Sequence, residues 1–457
     1  MNRQLLAGRF GPDDQIEIPN AADEQVTHLQ LVAGKKSLDH GIGGALTSLK
    51  ALGVFPSEIG LDLLVLAAHV HAADTRISRT EQSQDSWTRE IRLVVPVSDP
   101  DRWQAASHTL TRTLGFLTGD RWTVGFRHRP ERFVSIVTSP TTLLPPAFDT
   151  VSLFSGGLDS LIGAVDLLES GHTPLLISHA GEPATSDAQN ILFGKLKQHF
   201  SGSSFNRLRV WMVFPTGLVK NVSSESSTRG RSFLFFALGV FASSGLHSNF
   251  VLRVSENGLI ALNVPLDPLR LGSNSTRTTH PYYITRWNNL LVELSINGRI
   301  ENPYWNKTKG EMTAECASTD LLKQLAPLAL SCAHSANARH LGVKGRGIEQ
   351  CGYCLPCLIR RAALDAAWGR GHDSTPYTVP DLRAQPLVSR ESNGQQVRSF
   401  QVAIERLRVR PELATLLIHK PGPLTDESAR LGQLAAVYRR GIDEVAQFIN
   451  GVETRPG

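Results

Sequence analysis

At 457 residues the chain is too long for one ordinary domain, and two or three are expected. With 41% hydrophobic and 19% charged residues it can bury a full core, which excludes an intrinsically disordered chain. A net charge of +5 is mild over this length, and no block of Lys and Arg interleaved with aromatics stands out, so nucleic acid is not an expected partner.

No run approaches the ~20 apolar residues of a membrane span. The opening Met1-Asn-Arg-Gln-Leu-Leu-Ala-Gly-Arg lacks the long apolar core of a signal peptide, so a cytoplasmic protein without membrane contact is expected. Residues 1–147 read as a separate N-terminal α+β domain. Asp62 to Ala73 is a buried helix or strand-to-helix segment, Ile91 to Val97 a strand, Trp103 to Leu114 a helix, and Trp122 to Phe126 a second strand. His69, His71 and His108 are scattered and read as satisfied or exposed histidines, not ligands. Pro140 to Pro146 reads as a linker.

From Thr150 strand and helix patterns alternate. Strands are expected at Val151–Phe154, Pro174–Ser178, Leu208–Phe214 and Phe250–Val254, with helices from Leu161, over Ser186–Phe200 and over Ser232–Leu246. This repetition predicts an α/β domain, a doubly wound parallel sheet over residues 148–372, with its ligand at the carboxyl ends of the strands. Unusual polar residues gather at those ends: Ser155 to Ser160, Ser178-His-Ala-Gly181 and Ser255-Glu-Asn-Gly258. Glu256 to Tyr304 shows few regular signals and carries a polar run from Arg270 to His280, which reads as a functional loop. Thr308-Lys-Gly-Glu311 has capping-box spacing; Lys309, in that first turn, has the wrong sign for the helix dipole, which a polyanion nearby would explain. Residues 373–457 read as a helical C-terminal extension without chemistry of its own.

Two stretches carry chemistry. In Val151-Ser-Leu-Phe-Ser-Gly-Gly-Leu-Asp-Ser160 two glycines allow a sharp turn and close approach of backbone N–H groups to an anion, and the helix start adds the positive end of its dipole. Ser155 and Ser160 add hydroxyls. Asp159 is either a favourable first-turn acid or a ligand or orienter for a magnesium ion on a phosphate. The other stretch is Cys351-Gly-Tyr-Cys-Leu-Pro-Cys357, with Cys332 as a fourth thiol. Disulfides are unexpected in the cytosol, and this spacing suits either a tetrahedral structural zinc or an iron–sulfur cluster. Cys316 lies outside the pattern and reads as a small buried hydrophobe.

Ser-Gly-Gly-Leu-Asp-Ser resembles the PP-loop of ATP pyrophosphatases. Together with the cysteine run it resembles the 7-cyano-7-deazaguanine synthase (QueC) family, with support from Gly230-Arg-Ser-Phe and from Asn302-Pro-Tyr-Trp-Asn-Lys-Thr-Lys-Gly-Glu. The resemblance spans about residues 150 to 368. It implies a HUP-type, Rossmann-like fold, ATP with Mg2+, and zinc in preference to iron at Cys332, Cys351, Cys354 and Cys357. It places Ser155, Gly156, Gly157, Asp159 and Ser160 on the pyrophosphate and Arg231 and Lys309 on phosphate or substrate, with Asp159, Lys309 and Arg231 the expected catalytic set; Ser178 and His179 are expected beside the nucleotide from their place at the carboxyl end of a strand. The implied chemistry is adenylation of a 7-deazaguanine carboxylate and transfer to an amine. His179-Ala-Gly-Glu-Pro183 replaces the family's Tyr-Gly-Gln-Arg, and Ser275-Thr-Arg-Thr-Thr-His-Pro281 replaces its compact substrate loop. The added N-terminal and C-terminal parts resemble QueC-like proteins of bacterial anti-phage operons, of the QatC kind, which implies an acceptor amine on a protein partner from the same operon, docked by residues 1–147. The alternatives are the nitrile synthase proper, a tRNA-modifying PP-loop enzyme, and a nucleotide-binding scaffold without catalysis.

Overall fold

Two wholly parallel sheets face each other across a shared layer of helices. The computed structural model describes residues 3–32, 37–83, 85, 87–137, 147–226, 229–246, 249–267, 277–333 and 349–457. The linker expected at Pro140–Pro146 and the part of the polar run from Arg270 to Thr276 lie outside them. No helix among the described residues is long and apolar enough to cross a membrane.

The N-terminal unit runs β1 (Arg3–Arg9), β2 (Glu24–Gln30), α1 (Ile42–Ala51), α2 (Glu58–Arg76), α3 (Arg79–Gln82), β3 (Glu90–Val97), α4 (Pro100–Ala105), α5 (Ser107–Thr118) and β4 (Arg121–His128). Its strand order is β2-β1-β3-β4, and every pairing is parallel. The α+β expectation is therefore corrected to α/β. The first two strands escape a search for alternation because β1 is central: Leu5, Leu6 and Ala7 are buried in succession, as in a strand covered on both faces. The helix expected from Trp103 is two helices, α4 and α5, divided at Ala106.

The second unit runs β5 (Thr150–Leu153), α6 (Leu158–Glu169), β6 (Pro174–His179), α7 (Pro183–His199), β7 (Asn206–Val210), α8 (Arg231–Ser243), β8 (Phe250–Arg253), α9 (Gly258–Leu262), α10 (Pro281–Glu293) and β9 (Gly298–Glu301). Its order β7-β6-β5-β8-β9 is parallel throughout and Rossmann-like, and the direction of winding reverses between β5 and β8. Four strands lie at the expected places, but the third is Asn206–Val210: it starts before Leu208 and stops four residues short of Phe214. The segment after Glu256 is more regular than expected, for it holds α9, α10 and the fifth strand. In Gly-Arg-Ile-Glu only Ile300 is buried, too weak a pattern to read as a strand. Asn288 of α10 closes the free edge of β9: its Oδ1 accepts from Ile300 N (2.8 Å), and its Nδ2 donates to Ile300 O (3.1 Å).

α2 lies between the sheets and is buried without a break from Gly60 to Thr75. One apolar cluster joins Leu6 and Val95 of the first sheet, Leu63 to Ala73 of α2, Phe233 to Ala242 of α8, and Leu153, Ile177 and Leu252 of the second sheet. The boundary at residue 147 read from sequence thus runs through a single core.

The chain ends with α11 (Lys309–Ala314), α12 (Thr319–Leu325), α13 (Leu355–Trp368), β10 (Leu387–Val388), α14 (Ser392–Val409), α15 (Leu413–Leu417), α16 (Leu431–Ile449) and β11 (Thr454–Arg455). A separate cluster built on Leu358, Phe400, Val437 and Tyr438 seats the helical extension on α9 and α13.

Candidate functional site

The loop between β5 and α6 stands at the point where the winding reverses, so it opens into a crevice at the carboxyl ends of the strands. Gly156 turns it with φ 85°, a left-handed conformation that favours glycine, and a Cβ there would also stand 3.1 Å from Gln189 Cγ. Ser155 Oγ accepts from Gly157 N (3.3 Å) and donates to Ser160 Oγ (3.1 Å), whose hydroxyl donates to Gly157 O (3.0 Å). The first-turn N–H groups of α6 have no acceptor within the helix, and they lie at its positive end. Hydroxyls, a glycine turn and a helix start thus converge as an anion seat.

Behind the loop lies a buried ion pair. Lys309 Nζ is 2.7 Å from Asp159 Oδ1, with both side chains about 7% exposed. Asp159 Oδ2 accepts from Asn257 N (3.1 Å) and Asn257 Nδ2 (2.7 Å). Lys309 is aimed by the expected capping box: Thr308 Oγ1 accepts from Glu311 N (3.0 Å), and Glu311 Oε2 from Thr308 N (2.9 Å). The C-terminal helix reinforces that cap. Glu444 of α16 accepts from the Thr308 hydroxyl and from Gly310 N (3.2 Å), and Arg440 pairs with Glu311 (2.6 Å).

Burial alone would raise the Asp159 carboxyl, but the Lys309 ammonium outweighs it and holds Asp159 at about 2. Burial, then the adjacent Asp159 carboxylate, pushes Glu256 well above the usual carboxylate range. Glu256 therefore contributes stability below the ordinary range, which is lost as pH rises through its elevated folded value. Glu256→Gln should remove this loss: equilibrium unfolding of the variant is expected to fall less than wild type between pH 6 and 9 (~1 kcal/mol or more of difference). Parallel pH profiles for the two proteins would show that Glu256 is ionised like a surface residue.

A cavity of about 370 Å³ joins the loop to the rest of the crevice. Its lining includes the polar Ser155, Ser160, His179, Gln189, Arg231 and Glu256, the apolar Phe235, Phe236 and Val254, and Leu330 to Cys332. The structure thus brings Ser155, Ser160, His179 and Arg231 together as expected. Asp159 and Lys309 meet each other but do not line this cavity; they reach it through Glu256. Ser178 is fully buried, and its hydroxyl donates to Phe154 O (2.7 Å), so it braces the loop instead of facing a ligand. His71, read in sequence as a satisfied or exposed histidine, is buried, and its ring stands edge-on to His179 at 5.5 Å. Burial lowers both imidazoles, helped by Arg231 and Arg76 at His71 and by the His71 ring and Arg231 at His179, to about 4 for His71 and about 3 for His179, so both are neutral at physiological pH. Gln189 was missed by sequence reading; its Nε2 donates to Ser155 O and His179 O, both at 3.2 Å. Nothing marks it among the polar residues of α7. Glu256 had a signal, its place after β8, but no partner could be read for it.

The four thiols of Cys332, Cys351, Cys354 and Cys357 lie within 4.8 Å of one another. Sγ–Sγ separations of 3.8 Å (Cys351–Cys357) and 4.0 Å (Cys354–Cys332) match the roughly 3.8 Å edge of a tetrahedron of ~2.3 Å zinc–sulfur bonds. Backbone N–H groups of Cys351 and Cys354 donate to sulfur at 3.3 and 3.2 Å, which stabilises thiolates. Four protein ligands close the coordination, so a metal here holds structure. Cys316 stands apart, its thiol pushed up to about 12 by burial. The segment leading into Cys332 is tied to the loop at Ser155–Ser160: Leu330 N donates to Gly156 O (2.8 Å), while Arg360 Nη1 donates to Ala329 O (3.1 Å). Metal analysis should therefore find about one zinc per chain, and chelation should speed amide exchange across residues 154–160 by about tenfold or more. Iron with visible absorbance, or an unchanged loop after metal removal, would contradict this coupling.

No family model, curated protein or solved structure matches this chain.

Proposed function

We propose that the chain is an ATP-dependent ligase that adenylates a carboxylic acid and passes the acyl group to an amine. The observation that carries this reading is the anion seat at Ser155–Ser160, at the sheet's winding reversal, opening into the same cavity as the half-buried cation Arg231. The residues suit ATP. Loop N–H groups and the Ser155 and Ser160 hydroxyls would hold the β- and γ-phosphates, leaving the α-phosphorus toward the cavity. Mg2+ would supply charge neutralisation on the phosphates. Both Asp159 oxygens are already engaged, so Asp159 serves this chemistry by holding Lys309 in place, and Glu256 is the carboxyl that reaches the cavity.

In the reaction a carboxylate oxygen attacks the α-phosphorus, the bond to the bridging oxygen breaks, and pyrophosphate leaves with its electron pair. The amine then attacks the acyl carbon and AMP departs, the amine proton passing to solvent. No protein nucleophile is required; fixed donors and positioning lower the barrier.

The preferred acid is a 7-deazaguanine carboxylate, by the resemblance of the loop and cysteine run to the QueC family. An acceptor amine on a protein partner, in anti-phage defence, accounts for the large N-terminal addition. Incubation with ATP, 7-carboxy-7-deazaguanine and either ammonia or candidate partner proteins, followed by mass spectrometry, should show acid-dependent AMP and a conjugate heavier by the acyl group. ATP binding without AMP would leave a scaffold, and a thiolated or adenylated tRNA base would favour RNA modification.

A further inference from the structure

A half-buried guanidinium that lines a cavity with no counter-ion in contact is a ready partner for an anion. Arg231, the first residue of α8, makes no ion pair or hydrogen bond with any described residue, yet it lines the central cavity. Burial depresses its ionisation, and Glu182 compensates only at a distance. The polar groups around it are equally unsatisfied. His179 is 2% exposed and makes no hydrogen bond of normal geometry through either ring nitrogen; Gln189 Oε1 and Thr279 Oγ1, on side chains 0% and 5% exposed, also lack partners. All of them line the one cavity, together with Phe235 and Phe236. A protein rarely leaves several buried polar atoms without partners in one place unless a ligand completes them.

Resting on the ligase reading above, we propose that this corner is the acid subsite: Arg231 and His179 take the carboxylate, while Gln189 and Thr279 meet the polar edge of a planar nitrogen heterocycle lying on Phe235 and Phe236. The ATP phosphates are the other anion that Arg231 could meet, but they have their own seat at Ser155–Ser160 with glycine, hydroxyls and helix start. Placing the cation on the acid sets its carboxylate in the same cavity as the α-phosphorus, which is what attack requires.

The N-terminal unit builds this corner. Asp74 of α2 accepts from Gly230 N (2.6 Å) and so fixes the start of α8 at Arg231. Asp74 is itself held by Arg89 (3.1 Å), which also pairs with Asp120 (2.7 Å). His71, three residues earlier, backs His179. Asp74 and His71 are positioning residues.

Calorimetric titrations with ATP alone, and with 7-carboxy-7-deazaguanine in the presence of a non-hydrolysable ATP analogue, separate the two anions. Arg231→Met should weaken the acid by ~30-fold or more while ATP affinity changes by less than about threefold; Arg231→Lys should recover part of the loss. Thr279→Val removes a hydroxyl with no partner among the described residues, so it keeps the test readable if Arg231→Met does not fold; it should weaken the acid about tenfold. Unchanged acid affinity in these variants, equal weakening of ATP and acid, or no binding of the acid by wild type would overturn the subsite. Acid binding that depends on Arg231 in a protein that forms no AMP would instead sink the ligase reading and leave the subsite standing.

Discussion

Lys309→Met is expected to abolish AMP formation and to lower unfolding stability by about 3–5 kcal/mol, because it strands the buried Asp159 carboxylate without its cation. Asp159→Asn alone should fail in the same way, leaving a buried ammonium. The double variant Asp159→Asn/Lys309→Met removes both charges, and much of the stability should return while activity does not. That split distinguishes a pair that merely holds the fold from one that also aims a cation at the phosphates. The pH profile supplies a second reading. Asp159 is depressed from 3.8 to about 2, so its contribution is complete above pH ~4 and disappears as pH falls through about 2; the shift corresponds to about 2 kcal/mol. The double variant should lose that acid limb. If Lys309→Met forms AMP at the wild-type rate, the pair is structural and the phosphates are held by the loop alone.

The glycine turn at Ser155–Ser160 and the thiol cluster were legible because each is local: a strand, two glycines and a helix start within ten residues, or three cysteines spaced by two. The alternation that follows Thr150 gave the parallel sheet for the same reason. What escaped was set by distance along the chain. Asp159 meets Lys309 and Asn257, and Arg231 meets the influence of Asp74, only after folding joins segments that carry no common pattern. Ser178 shows the opposite error: its place at a strand end suggested a ligand contact, but nothing in sequence could reveal that Phe154 O takes its hydroxyl. β1 was invisible for a physical reason, since a central strand covered on both faces has no polar alternation to read.

Deleting residues 1–147 should yield an insoluble chain instead of a minimal adenylating enzyme. The sequence suggested a dispensable docking domain because it shows no catalytic spacing there, but α2 packs its buried length against α8 within a single core. Ser57 N donates to Ser244 Oγ (3.0 Å) at one end of that contact, and Asp74 caps α8 at the other. Removing α2 uncovers the face of α8 that it covers, while Phe233 and Phe236 keep their packing on Trp287 of α10. At about 2 kcal/mol for each large side chain, exposing even three others costs ~6 kcal/mol, which is much of what an ordinary domain has in total. Co-expressing residues 1–147 as a separate chain should restore solubility and AMP formation, because the missing surface is supplied without any new chemistry. A truncated chain that purifies as a monomer and adenylates the acid at the full rate would return the N-terminal unit to a pure docking role and remove His71 and Asp74 from the acid subsite.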